Sequence, residues 1–98
     1  MKKAIAHRYY LNNQRGGKLV KDPVTMSAVF TEYDRQEPKY TISIEGKVLA
    51  DVYISCLTGH IIVNCYGAKG VEKFTAIAAL ANKCAAELEQ YRDSQIDK

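Results

Sequence analysis

The chain has no tryptophan and only two phenylalanines among its 98 residues, so seven tyrosines carry nearly all of its aromatic surface. Long apolar runs are missing as well: stretches such as Ile61-Ile62-Val63 end within a few residues, far short of the ~20 that cross a bilayer as a helix. Met1-Lys2-Lys3 begins with charge, but Ala4-Ile5-Ala6 is broken at once by His7-Arg8. No hydrophobic signal segment follows, and a cytoplasmic location with no membrane partner is expected. Cysteine is sparse and odd in number. Cys56, Cys65 and Cys84 are irregularly spaced and each falls in an apolar pattern, which argues against a secreted disulfide framework. The reading predicts three reduced thiols, all in the core.

Sites of chemistry are also lacking. There is no Cys-x-x-Cys pair for a zinc knuckle. His60 and Cys65 stand an odd number of residues apart in one expected strand and so face opposite sides, and Cys84 lies mid-helix on the apolar stripe. The same geometry removes a Cys–His nucleophile, which needs an exposed, electropositive thiol. Neither His7 nor His60 has an evident orienting partner. Gly16-Gly17-Lys18 and Gly67-Ala68-Lys69-Gly70 lack the spacing of a phosphate-cradling loop. The second does precede a helix N-terminus, where backbone N–H groups can hold an anion, but a plain strand-to-helix turn accounts for its glycines equally well. No catalytic residue, no metal and no cofactor are expected, and the chain is read as non-enzymatic.

What is present is a clear change of period. An apolar fraction of 47% with 26% charged residues is ordinary for one globular domain of this length. Residues 1–21 read as a basic N-terminal arm or edge hairpin, with a first strand over Ala4–Leu11 and a polar turn from Asn12 to Lys18. After Asp22-Pro23 the period becomes two. Met26, Ala28 and Phe30 share a face, as do Tyr40, Ile42 and Ile44, then Val48, Ala50, Val52 and Ile54, and last Ile61, Val63 and Cys65. Breaks at Asp34-Arg35-Gln36-Glu37-Pro38, Glu45-Gly46-Lys47 and Leu57-Thr58-Gly59 are short, so strands over 24–66 form an antiparallel meander. From Val71 the period is helical: Val71, Phe74, Ile77, Ala78, Ala81, Cys84, Ala85, Leu88 and Tyr91 form a stripe, with Glu72 and Arg92 suiting the helix dipole. The expected fold is α+β: a four- to five-stranded antiparallel meander sheet, with one long C-terminal amphipathic helix (71–92, about 30 Å) packed on one face. The tail 93–98 is expected to fray.

Two surfaces remain once the core is assigned. Residues 1–21 hold six of the fourteen basic residues and no acid, while the remainder holds eight basic residues and all eleven acids. Arg8, Arg15 and Lys18 therefore sit on an arm that attracts phosphate or an acidic protein, or that guards a sheet edge against aggregation. The sheet face away from the helix displays Tyr33, Tyr53, Tyr66, His60 and Asn64, with Thr41, Ser43, Val29 and Ile62. Tyrosine offers large contact area at low entropy cost, which suits recognition. Glu45 and Asp51 fall on this face too, and no lysine is interleaved.

The C-terminal half is similar to a double-stranded-RNA-binding domain in its strands followed by an alanine-rich helix, and Glu45-Gly46-Lys47-Val48-Leu49 resembles that family's second strand. The family's lysine-dense helix start has no counterpart in Gly70-Val71-Glu72-Lys73-Phe74, so no residue role carries over; the RNP1 signature of RNA-recognition sheets, a different family, is absent as well. In style, short motif-free tyrosine-rich α+β chains resemble accessory proteins of phages and other mobile elements. The resulting expectation is a small protein-binding module, an inhibitor or regulator of a larger target. The alternative is nucleic-acid binding through the basic arm. A homodimer formed through the tyrosine-rich face is a third arrangement. The stripe also makes a test of packing: Ala81→Leu or Ala85→Leu should overpack the helix–sheet contact and cost about 1–3 kcal/mol in chemical denaturation.

Overall fold

Two tight turns set the register of the sheet. Gly16 (φ 57°) and Gly17 (φ 76°) are both left-handed, as a two-residue turn matching the twist of its strands requires. Glu45 (φ 50°) and Gly46 (φ 82°) repeat the device. In this computed structural model, which describes residues 4–32 and 38–96, the strands are β1 (Ala4–Arg15), β2 (Lys18–Thr31), β3 (Lys39–Ile44), β4 (Lys47–Ile54) and β5 (Ile61–Cys65), followed by α1 (Val71–Ile96). The sheet order is β1-β2-β3-β4-β5 with every neighbouring pair antiparallel. The expected meander with one C-terminal helix is the observed fold.

The first hairpin is longer than expected. β1 continues past Leu11 to Arg15, and β2 begins at Lys18 and passes through Pro23. Proline is tolerated there because this part of β2 has only one neighbour: its pairing with β3 starts at Ser27, so Pro23 faces Tyr10 and an unpaired edge on its other side. The outer part of the hairpin thus stands clear of the sheet as a two-stranded arm, and the molecule measures 58 Å along its longest axis. Near the tip, Arg15 forms an ion pair with Asp22 (2.7 Å), which also accepts a hydrogen bond from Asn13 Nδ2.

Helix and sheet meet over Met26, Ala28, Tyr40, Ile42, Ala50, Val52, Leu80, Cys84 and Leu88, all fully buried. Phe30 packs its ring against Tyr40 and Tyr91 at centroid distances of 5.3 and 5.4 Å, closing one end. At the other end Tyr9 is buried with its hydroxyl, which has no hydrogen-bond partner among the described residues; burial raises its pKa.

The buried stripe of α1 is rotated from the expected one. Ala76, Ile77, Leu80, Ala81, Cys84 and Leu88 are buried, whereas Val71 and Phe74 are 77% and 58% exposed, Ala78 faces solvent and Ala85 is only half-buried, so of the two overpacking substitutions Ala81→Leu is the one that meets the sheet. Alanines on every side leave the apolar moment of this helix nearly undirected, so the sheet surface it packs on, not the alanine pattern, fixes its rotation, with Leu80 buried and Phe74 outside. The helix also runs on to Ile96, past the expected end at 92. Its last turn then holds no basic residue, and Arg92 serves the loop instead, donating to the Gly59 carbonyl (3.1 Å).

Two of the three thiols are not core. Cys84 is buried, but Cys56 and Cys65 are exposed. Cys65 pairs with Ala50 and Val63 with Val52, so both lie on the helix side of the sheet, yet Val63 is 49% exposed. The helix packs mainly on β1 to β4 and leaves this edge strand uncovered beyond Ile61, which is packed against the core. A register shift after Ile42 supplies the remaining correction. Ile42 pairs with Ala50 but Ser43 with Val48, so Leu49 is an extra bulged residue. Leu49 takes the buried place and Val48, expected in the core, is 46% exposed.

Two measurements follow. Leu80→Ala should cost about 2–5 kcal/mol in denaturant unfolding, while Phe74→Ala should cost less than about 1 kcal/mol, as at a solvent-facing position. Burial, followed by the Glu87 charge, pushes the Cys84 thiol from an ordinary 9.0 up to about 12. Because the folded value is the raised one, this contribution to stability is complete below pH 9 and is lost as pH climbs towards 12. A thiol-reactive dye at pH 8 should therefore modify Cys56 and Cys65 quickly, and Cys84 only at the rate of unfolding.

Candidate nucleic-acid interface

Residues directly opposite in antiparallel strands point to the same side, so the register sorts the side chains without ambiguity. One row on the side away from α1 runs Ala4, Val29, Thr41, Asp51 and Asn64 across all five strands. The next runs Thr31, Lys39, Tyr53 and Ile62. Along the arm the same side continues through Arg8 opposite Thr25, Tyr10 opposite Pro23, and Lys21 opposite Asn12. None of the described residues covers this face: the one helix lies on the other side.

Among the described residues, the solvent-accessible charges of this face are of one sign. Arg8 and Lys21 are exposed and Lys39 is half-buried. None of the three forms an ion pair among the described residues. Asp51 is the only acid among the described residues of the strand rows on this side, and it is buried. Its carboxylate accepts a hydrogen bond from the Tyr66 hydroxyl. That bond to a carboxylate is the main reason the Tyr66 pKa lies above 10.0. The low exposure of Asp51 and this bond partly screen its charge from whatever meets the face. Tyr10 is 53% and Tyr66 62% exposed, and half-buried Tyr53 lies directly opposite Lys39. From Thr31 to Lys21, ten residues along β2 at about 3.3 Å each make a track of about 33 Å.

The residues expected at a binding surface are only partly brought together. Tyr53, Tyr66, Asn64 and Arg8 share the open face. Tyr33 lies outside the described residues. His60 is exposed but belongs to the loop before β5, where its N–H bonds to Thr58 Oγ1 (3.2 Å) and its carbonyl accepts from Ser55 N (2.8 Å). Arg15 and Lys18 pair with each other at the arm's tip, on the helix side by register, and Arg15 is engaged by Asp22. Glu45 sits in the β3–β4 turn and not on the sheet face.

Tyr10, Lys21 and Lys39 were not foreseen. Lys39 was legible: it stands one residue before Tyr40, so if the strand begins there, it shares the side of Thr41. Lys21 needed the arm to be seen as a continuation of β2. Among the described residues no group of three or more His, Cys, Asp or Glu is placed to hold a metal ion, and no helix is long and apolar enough to cross a membrane. The chain matches no protein-family model, no curated protein and no solved structure at a significant level.

Proposed function

We propose that this chain is a non-enzymatic protein that binds single-stranded nucleic acid across its open sheet face and the base of its arm. The observation that carries the reading is the interleaving of Arg8, Lys21 and Lys39 with Tyr10 and Tyr53 on one uncovered face, on which the one acid among the described residues is buried and hydrogen-bonded. Proteins that take single strands without base-specific contacts combine cations along the backbone with aromatic rings on which bases stack. Small hydroxyl and amide side chains (Thr25, Ser27, Thr41, Ser43, Asn64) between the rings leave their faces accessible and offer hydrogen bonds to base edges. Two exposed cysteine side chains, Cys56 and Cys65, fit a reducing, cytoplasmic compartment.

Docking of a protein, as an inhibitor or regulator would dock, or of a second copy of the chain, is the competing reading for the same face. Val29, 46% exposed, and half-buried Ile62 favour it. Salt separates the two. Fluorescence anisotropy with a labelled single-stranded oligonucleotide should show affinity falling as salt rises, with a log–log slope of about −2 for three contacts at roughly 0.7 each. Arg8→Ala should lower that slope by about 0.7, and Tyr53→Ala should weaken binding by about 1–3 kcal/mol at fixed salt, both with unchanged circular dichroism. If no oligonucleotide binds even at low salt, the reading is wrong. A complex with protein, or with a second copy by gel filtration, that persists at high salt and is lost in Tyr53→Ala would replace it.

A further inference from the structure

At the end of the sheet from which the arm springs, a second surface gathers three lysines that make no ion pair among the described residues. The β3–β4 turn, the β5–α1 connection and the first turn of α1 enclose a cavity of about 460 Å³, walled by Leu49, Tyr66 and Gly67 and carrying Lys47, Lys69 and Lys73. No acid lines it. The nearest acid along the chain, Glu72, lines a neighbouring hollow with His7 and Thr75, and its carboxylate reaches back to Gly70 at the helix start without lining this cavity. None of the three lysines makes an ion pair among the described residues. Lys69 and Lys73 bracket the start of α1 at Val71, where the helix dipole makes a cation unfavourable. Three like charges on one concavity repel one another, and Glu72 in the first turn offsets only part of the cost of the two at the disfavoured end of the helix. A bound anion of high charge reverses the sign of each of these interactions.

We propose that this cavity binds a phosphoryl group. Each ammonium offers three donors, so three lysines from separate segments can surround a phosphate's oxygens with charge-assisted hydrogen bonds. The volume exceeds one phosphate, and the Tyr66 ring and Leu49 give the appended group an apolar wall. The Tyr66 hydroxyl is committed to Asp51 and plays no part. Tyr66 also ends the open face, so the phosphate can come from a nucleic-acid strand leaving that face or from a free phosphorylated small molecule. The proposal does not need the nucleic-acid reading, and it stands if that one fails.

The test is an amide NMR titration of the full chain with pyrophosphate at constant ionic strength. Signals of Lys47 and of residues 67–73 should move together and saturate. Lys69→Gln and Lys73→Gln should each weaken the binding by about tenfold, the worth of one charge-assisted hydrogen bond, while Lys18→Gln on the arm should not change it. The idea is overturned if those amides stay still at millimolar pyrophosphate, or if Lys18→Gln weakens binding as much as the cavity variants. The wild-type titration decides the matter even if a variant misfolds. Oligonucleotides with and without a 5′-phosphate then separate the sources. Tighter binding of the phosphorylated strand assigns the site to a nucleic-acid end; equal binding, beside a saturating pyrophosphate response, assigns it to a small molecule.

Discussion

A helix with its side chains is about 10 Å across and neighbouring strands are about 4.8 Å apart, so one helix cannot roof five strands. Most of this structure follows from that mismatch. α1 lies over β1 to β4, and within that strip the rows Ile5, Ala28, Ile42, Ala50 and Phe30, Tyr40, Val52 are covered. One strand further on, the same rows end in Cys65 and Val63, apolar in kind and exposed in fact. The flank of α1 bearing Glu72, Thr75 and Ala79 faces β1, where Lys83 Nζ comes within 3.5 Å of His7 Nδ1. The helical period then turns Phe74, Ala78 and Ala85 towards β5. The helix is anchored on the arm side, and the β5 side is left with apolar residues it cannot cover.

The same mismatch explains how much of the molecule was legible from residues alone. Alternation, tight turns and a change of period describe each element by itself, and they led to the meander and the helix. They do not say which strands the helix will cover, so Cys65 and Val63 read as core because their period matched. Nor does alternation register a bulge. Val48 and Leu49 exchange roles because one extra residue in β4 shifts the pairing between Ile42 and Ser43, and nothing in Lys47-Val48-Leu49-Ala50 marks which neighbour is the extra one. The helix failed differently: with alanines on all sides, the stripe through Phe74 and the stripe through Leu80 fit the period equally well, and the choice was made by the volume the sheet leaves open. The candidate site suffered from boundaries. Ending β1 at Leu11 and starting the second strand after Pro23 cut the arm away from the face it belongs to, and with it Tyr10 and Lys21.

Charge placement needs an explanation that solubility alone does not supply. Lysines on an outer strand blunt a sheet edge against aggregation, and Arg8 on β1 fits that account. Lys39 does not, because β3 has a partner on each side and no edge to guard. Solubility is also served at least as well by acids as by lysines, and the chain has eleven acids to place. Those in the described residues go to turns, to the helix and to the far side of the arm. Among the described residues of the open strand rows only Asp51 remains, buried and bonded to the Tyr66 hydroxyl. A face cleared of one sign while the chain is rich in it reads as complementary to an anion, and its long narrow shape matches a polymer better than a small ion. That geometry is why the arm and the sheet belong to one surface: by strand register Arg8, Tyr10 and Lys21 lie on the same side as Lys39 and Tyr53, further along β1 and β2, so a strand running along β2 passes from the sheet to the arm without leaving the face.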